Sequence, residues 1–538
     1  MIPRKAYLRT LNQITGITAF LFLFGCSTPD TWYDLDSLYE ERPLPESSAE
    51  VDESLLPAAE LPKKLPLPAT EGGHLFLSLE EAVSFSLERN HELQVQRYAP
   101  LITGTFEQIE RGVFDPELFA ELDYSEEKAT ETSRSTEELF SVEGSDVGTE
   151  AGVRQQLPTG TELEVSLAYG RSRSNRTPEQ QDVRLGLSVT QSLLRGFGPA
   201  VNLLDIRQAQ LDTKVSFYEL RGFLEALVSE VEIAYWRYVL SSQSITIFEQ
   251  SLEIAGKQLT EVENRIEVGV IPKNAAAAAR AELARRQQAL IEARGTHNER
   301  RLRLLRLLNI TDNDNYQLRV EPTSTPRTDI TPLADLDDHL QLAVLMRPDL
   351  NEARLRQRRQ GLEIVRTRNG LLPKLELFID LAKTGYAESF NDTWSNLKED
   401  NYELLTGIRF SSYVNNRTAE AQHLAARASR DQAGAAVKNL ENLVKLDVLL
   451  AANELERARE QIAASGVTRM FAEQTLKAEQ ERFSVGDITS LLVAQAQRDL
   501  LVSRLDEIEA IIEYRIALVN LYLAEGSLLD RRGIRLEN

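Results

Sequence analysis

Apolar and polar positions along this chain follow two different periods. In residues 200–309 and 417–526, Ala, Leu, Glu, Arg and Gln dominate, and proline is confined to Pro199 at the start of the first stretch and Pro272 at a turn, a composition that favours long helices. Phe248, Leu252, Ala255, Leu259, Val262 and Ile266 alternate four-residue and three-residue spacings, the seam of a coiled coil. From residue 200 to the Val268-Gly269 turn the chain has about 67 residues, or ~100 Å of helix at 1.5 Å per residue. A compact globule has no use for such a rod.

Other stretches alternate with period two. Leu118, Ala120, Leu122 and Tyr124 form one such run, Leu163, Val165, Leu167 and Tyr169 a second, and Val183, Leu185, Leu187 and Val189 a third. Later, Leu375, Leu377, Ile379 and Leu381 make a fourth, and Tyr402, Leu404, Thr406, Ile408 and Phe410 a fifth. Each predicts a strand with one apolar and one wetted face. Their lengths approach the roughly 9 to 11 residues of a membrane strand. Val153 to Leu157, beside Pro158-Thr159-Gly160, is a further alternating run, read as an additional hairpin outside a shared barrel.

The two kinds of segment occur twice in the same order, the mark of an internal duplication. Leu79-Glu80-Glu81-Ala82-Val83-Ser84-Phe85-Ser86-Leu87 matches Leu336-Asp337-Asp338-His339-Leu340-Gln341-Leu342-Ala343-Val344 at an offset of 257, and Arg265-Ile266-Glu267-Val268-Gly269 matches Arg482-Phe483-Ser484-Val485-Gly486 at an offset of 217. Ala277, Glu282 and Leu283 keep the second offset, facing Ala494, Asp499 and Leu500. The difference of 40 places extra residues between Gly112 and Gly196 of the first half. One repeat therefore covers 76–335, with its β-hairpin at about 113–195 and long helices at about 200–309. The other covers 336–538, with its hairpin at about 371–415 and long helices at about 417–526. Four or so strands cannot close a barrel alone, since small membrane barrels begin near eight, so several copies must assemble.

Charge changes the picture only locally. The chain carries a formal net charge of -22, but residues 27–150 hold 29 Asp and Glu against 8 Lys and Arg. The remaining body is nearly neutral and offers no basic stripe, which excludes nucleic acid as an expected partner. The single cysteine, Cys26, rules out an internal disulfide. Arg4, Lys5 and Arg9 precede an apolar run from Ile14 to Phe24, and Leu23-Phe24-Gly25-Cys26 follows. That resembles a lipoprotein signal over 1–25 with diacylglycerol carried by Cys26, although Phe24 stands where a smaller residue is usual. Ser27 after the cysteine favours outer-membrane delivery, by resemblance to lipoproteins of enteric bacteria. Residues 26–75, with seven prolines from Pro29 to Pro68 among acids, read as a tether.

Over nearly the whole of residues 77–534 the chain resembles the TolC-like outer-membrane efflux proteins. The resemblance is carried by Leu79 to Leu93 and its echo ending Met346-Arg347-Pro348-Asp349-Leu350, and by Gln191-Ser192-Leu193-Leu194-Arg195-Gly196-Phe197-Gly198. Asn416-Arg417-Thr418-Ala419-Glu420-Ala421, Arg482-Phe483-Ser484-Val485-Gly486 and Ala496-Gln497-Arg498-Asp499-Leu500 complete it. It implies a mostly α fold with membrane β: a homotrimer with four strands per subunit in a 12-stranded β-barrel, above an α-barrel crossing the periplasm. Arg265, Val268, Gly269, Arg482, Val485 and Gly486 would form tips that dock a periplasmic membrane-fusion adaptor, coupled to an inner-membrane pump that is proton-driven or of the ABC type. Phe483, Asp487, Ile488, Leu492 and Gln495 would line the periplasmic aperture. Some members place carboxylates where this chain has Leu492 and Gln495, so an apolar closure is expected here. His91, Tyr413 and Asn415 also depart from the family pattern at helix and strand junctions.

The expected function is an outer-membrane channel subunit of a tripartite efflux or type I secretion system. The alternative is a coiled-coil envelope lipoprotein without a pore, which leaves the duplicated amphipathic hairpins idle. Enzymatic chemistry is not expected. His74, His91, His297, His339 and His423 are scattered without paired metal spacing, and Gly196-Phe197-Gly198 runs into Pro199 and not into a nucleotide-binding helix. No cofactor or metal is expected beyond the lipid on Cys26.

Overall fold

A computed structural model describes residues 70–71, 74–132, 139–269, 271–309, 317–326 and 335–535. The expected signal at 1–25, Cys26 and nearly all of the tether lie outside the described residues. In the first repeat β1 (Thr70–Glu71) and β2 (His74–Leu77) lead into α1 (Leu79–Arg89) and α2 (His91–Arg111). Four strands follow, β3 (Glu117–Thr132), β4 (Leu139–Leu157), β5 (Thr161–Ser174) and β6 (Gln180–Ser192). A short α3 (Pro199–Asn202) then opens the long α4 (Leu204–Glu267), which folds back as α5 (Ala275–Leu308) and ends at β7 (Arg319–Pro322). The second repeat runs α6 (Leu336–Met346), α7 (Pro348–Gly370), β8 (Lys374–Ala387), α8 (Phe390–Asn396), β9 (Tyr402–Ser411), α9 (Arg417–Ser484), α10 (Ser490–Glu525) and α11 (Leu528–Arg531). Shifting α1 by 257 residues lands on both boundaries of α6, and shifting the ends of α4 and α5 by 217 lands on the ends of α9 and α10.

Local chemistry explains these boundaries. Ser78 and Glu81 form a reciprocal capping box at the start of α1. Asn90 caps α2 through the Leu93 amide, so His91 opens that helix just as Pro348, at the first turn of α7, opens its counterpart. The departure at His91 therefore does not disturb the helix start. With 64 and 68 residues, α4 and α9 are each roughly 100 Å long at 1.5 Å per residue. Among the described residues no helix is long and apolar enough to cross a membrane.

The largest core lies where α1, α4, α5, α10 and α11 meet the small sheet β1-β2-β7. Val228, Val231, Leu304, Leu308, Ile512 and Leu528 are buried there. The Tyr235 hydroxyl donates to the Leu77 carbonyl at 2.9 Å and the Tyr238 hydroxyl to the Val320 carbonyl at 2.5 Å, pinning β2 and β7 to α4. Glu232, fully buried, takes a bidentate pair from Arg532 at 2.6 and 2.7 Å.

Beside this core a cleft of about 490 Å³ is lined by Glu225, Arg347, Asp349 and Asp447 among others. Burial pushes the Glu225 carboxyl up to about 7, against the lowering influence of Arg221 and Arg347 and with Asp530 adding to the rise. The folded chain thus keeps a proton there that the unfolded chain has already released. Stability is therefore expected to fall by about 3 kcal/mol as pH rises from about 4.5 to 7. Thermal melting in detergent at pH 5 and pH 8 checks this: Glu225→Gln removes that part of the pH dependence, and parallel curves for parent and variant would refute it.

One antiparallel sheet holds all the remaining strands in the order β3-β4-β5-β6-β8-β9. This changes the picture drawn from the sequence. The sheet holds six strands, two more than the four expected of a barrel wall, and the additional hairpin does not stand apart from the other strands, because β3 and β4 continue the same ladder without a break. The run at Val153 to Leu157 is the end of β4, a 19-residue strand. Its turn is locked to the start of the helices. Asn202 donates to the carbonyls of Pro158 and Gly196, and the Gly198 amide to Thr159. Gly160 has φ +81, and a Cβ there would stand 2.2 Å from the Gly196 oxygen, so only glycine fits. At the opposite ends of the strands α8 folds over β6 and β8, with Phe390 set edge-on to Tyr169 at 5.4 Å.

Candidate functional site

The two long helices reverse at the ends farthest from the sheet in sequence, and the two reversals share one construction. At each, a valine caps the long helix and a glycine in the left-handed region follows, Gly269 at φ +76 and Gly486 at φ +82. The Gly269 amide donates to the Ile266 carbonyl, and the Gly486 amide to Phe483. In the second turn Asp487 also donates to the Arg482 carbonyl at 3.0 Å, which completes a Schellman cap. Val268 and Val485 are left 74% and 80% exposed.

Behind the turns Val262, Ala279, Leu476, Phe483, Val493 and Ala496 form a separate core, with Ile488 partly buried against it. Two residues expected at the aperture belong to this core within the single chain. Phe483 is buried in its own chain, beneath the Arg265 guanidinium at 4.5 Å, and Ile488 packs inward beside it. Apolar side chains this close to a helix reversal are drawn between the two hairpins, since the tip has no other core. Asp487, Leu492 and Gln495 do face outward.

Arg265 also has a role the sequence did not show. It ion-pairs with Glu261 at 2.7 Å and donates across to the Phe483 carbonyl at 3.0 Å, the end of the other hairpin's long helix. A cation at helix carbonyls is favourable, so Arg265 latches one tip to the other. Arg482 is held by Glu479 at 3.0 Å and Asp487 at 2.9 Å, half exposed at the surface. Of the six residues expected to dock an adaptor, Val268, Gly269, Val485 and Gly486 form the two exposed turns, while the two arginines brace them.

Above the tips α4, α5 and α10 enclose a cleft of about 110 Å³ lined by Ala255, Ala279, Leu491 and Ala494 with Gln258 and Gln497. At its wall Glu282 is buried among three arginines, Arg286 at 2.7 Å, Arg498 at 3.0 Å and Arg285 at 3.4 Å. The Arg286 contact is an ion pair. Burial lowers the Arg286 pKa, and Glu282 opposes that shift. The sequence marked Glu282 only as the duplicate of Asp499; Arg285 and Arg286 follow it on its own helix, and the third cation, Arg498, comes from a helix 216 residues away.

Among the described residues no three His, Cys, Asp or Glu side chains are grouped to hold a metal. What this end of the chain presents is a pair of rigid, apolar-tipped helical hairpins, and the other end presents an amphipathic sheet. The model of the family described as outer membrane efflux protein matches residues 155–309 and 339–527. The chain belongs to that family. Solved structures agree on the fold. The outer-membrane channel OprN is 17% identical with a TM-score of 0.62, over 84% of this chain and 90% of that one. CusC is 15% identical with a TM-score of 0.61, over 88% and 99% of the two chains. The Neisseria gonorrhoeae MtrE channel in its open state is 16% identical with a TM-score of 0.59, over 88% and 98%. No curated protein sequence matches this efflux-family chain.

Proposed function

We propose that this efflux-family protein is the outer-membrane channel subunit of a tripartite efflux or type I secretion system. Three copies form a conduit from periplasm to exterior, anchored additionally by lipid on Cys26. A periplasmic adaptor docks on the tips at Val268-Gly269 and Val485-Gly486, and an inner-membrane pump, proton-driven or of the ABC type, supplies the energy. The channel itself needs no cofactor and performs no covalent chemistry. One observation carries the reading: each chain joins a single one-sidedly apolar sheet, built from both repeats, to two helical rods of ~100 Å each. A sheet of this kind supports a membrane wall more than a poreless coiled-coil spacer, which has no use for it.

Purified in mild detergent, the protein is expected to run as a trimer and to give single-channel currents in planar bilayers; a monomer that leaves bilayers sealed overturns the proposal. Closure at the tip rests on apolar side chains, with Leu492 43% exposed in place of a carboxylate. Leu492→Ala is therefore expected to raise the closed-state conductance several-fold, and an unchanged closed state would remove Leu492 from the aperture.

A further inference from the structure

We propose that the barrel has eighteen strands, six from each of three copies, closed by pairing the free edge of β9 in one copy with the free edge of β3 in the next. This ring presupposes the trimeric channel proposed above and fixes what each copy adds to it.

The apolar face runs without interruption across the sheet. Following the hydrogen-bonded register, Leu118 of β3 stands beside Val153 of β4, Val165 of β5, Leu187 of β6, Leu381 of β8 and Leu404 of β9. All six are exposed, from 38% at Leu187 to 81% at Leu118. The adjacent row, on the opposite face, reads Glu117, Arg154, Glu164, Ser188, Asp380 and Leu405. A strand held in water has no reason to keep this alternation in step with a membrane wall. β3 and β4 keep it, so they meet the same two environments as the other four.

A ring of twelve is hard to build from this sheet. It would have to close on β5, yet one edge of β5 is taken by β6 and the other by β4 through fourteen paired residues, Gly144 to Leu157. Leaving β3 and β4 outside the ring would break that ladder and strand its amides and carbonyls in hydrocarbon, at several kcal/mol for each unsatisfied group. With all six strands included, only the outer edges of β3 and β9 remain, and a strand edge in lipid must find a partner. A second copy supplies it with the correct polarity. The six strands alternate in direction, so β9 of one copy and β3 of the next run antiparallel like every other neighbour.

The two outermost hairpins are also built alike. On the polar face Phe119 lies across Gly152 with Arg154 over its ring at 5.5 Å, and Phe378 lies across Gly407 with Arg409 over its ring at 5.3 Å. Such an aromatic laid over a cross-strand glycine pins register in a wall strand. Its presence in β3–β4 as well as β8–β9 marks both as barrel hairpins. An eighteen-stranded ring is in the size range that leaves a water-filled lumen.

Disulfide trapping in the full chain tests the ring. Leu404→Cys in β9 is combined in turn with Leu118→Cys, Ala120→Cys, Leu122→Cys or Tyr124→Cys in β3, and separately with Leu163→Cys, Val165→Cys or Leu167→Cys in β5. The parent with Cys26 alone is the background. Within one copy β9 and β3 are five strands apart, about 24 Å at 4.8 Å per strand, so a link between them can only join copies. At least one β9–β3 pair is expected to give covalent trimers on oxidation. Links between copies from β9 to β5 would overturn the proposal. A direct count of strands by electron cryomicroscopy in nanodiscs decides if no pair links: eighteen upholds the ring and twelve refutes it. A monomer in that experiment would instead overturn the channel reading itself.

Discussion

Replacing Glu525 with alanine is expected to destabilise the chain by about 3–5 kcal/mol, the usual cost of removing one partner from a buried ion pair. Glu525 is wholly buried at the end of α10. One carboxylate oxygen takes a hydrogen bond from His339 of α6 at 2.5 Å, and the other takes bonds from Ser527 at 2.8 Å and Arg531 at 3.1 Å. Burial alone would push its pKa up, but the bonds from His339 and Ser527 and the charge of Arg531 more than offset that, leaving it below the ordinary value. The pair therefore contributes stability above pH ~4.5 and loses it as pH falls through the depressed folded-state value. Without the carboxylate, Arg531 loses its ion-pair partner and the His339 ring and Ser527 hydroxyl lose their buried acceptor. The substitution should lower the melting temperature in detergent strongly and reduce the amount of oligomer recovered from membranes. Glu525→Gln keeps the shape and should cost about 1–3 kcal/mol. A loss below about 1 kcal/mol for the alanine variant would mean that the group behaves as a surface pair.

The same carboxylate shows why the chain was only partly legible. His339 and Glu525 are 186 residues apart, and neither position breaks the helical pattern around it, so no local signal joins them. The long helices were legible because their periodicity runs unbroken to the glycine turns, and the repeat offsets predicted where the second set would lie. Five of the six sheet strands announce themselves by alternation. β4 does not, because its outward positions include the weak hydrophobes Thr149 and Ala151 while Gly144, Gly148 and Gly152 occupy the other face. Only its last residues, from Val153 on, alternate clearly, and on those alone the sequence suggests an additional hairpin and not a long strand of the shared sheet. At the tips the sequence located the turns but not the sides of the helices. Phe483 and Leu492 both look like apolar residues near a mouth, yet one is under Arg265 and the other faces out. That distinction depends on how two hairpins, linked only through contacts more than two hundred residues apart, lean together.

Substituting aspartate for both Val268 and Val485 is expected to cut export at least about tenfold while leaving folding and assembly unchanged. Both side chains are exposed and outside the core behind the tips. Surface changes of this kind shift stability by about 0.5 kcal/mol or less. At an adaptor interface the same residues matter more. Burying a valine contributes about 1.5 kcal/mol, and two lost together with carboxylates left to desolvate exceed about 3 kcal/mol, more than a hundredfold in affinity. Arg265, by contrast, is expected to act through its latch: Arg265→Ala frees the Phe483 carbonyl and uncovers the ring, so it should loosen the closed tip and not simply weaken docking. Export measured in cells, alongside trimer yield and single-channel current from the same variants, separates the two effects. Undiminished export by the double aspartate variant at normal protein level would show that the adaptor grips the channel elsewhere than at the exposed valine-glycine turns.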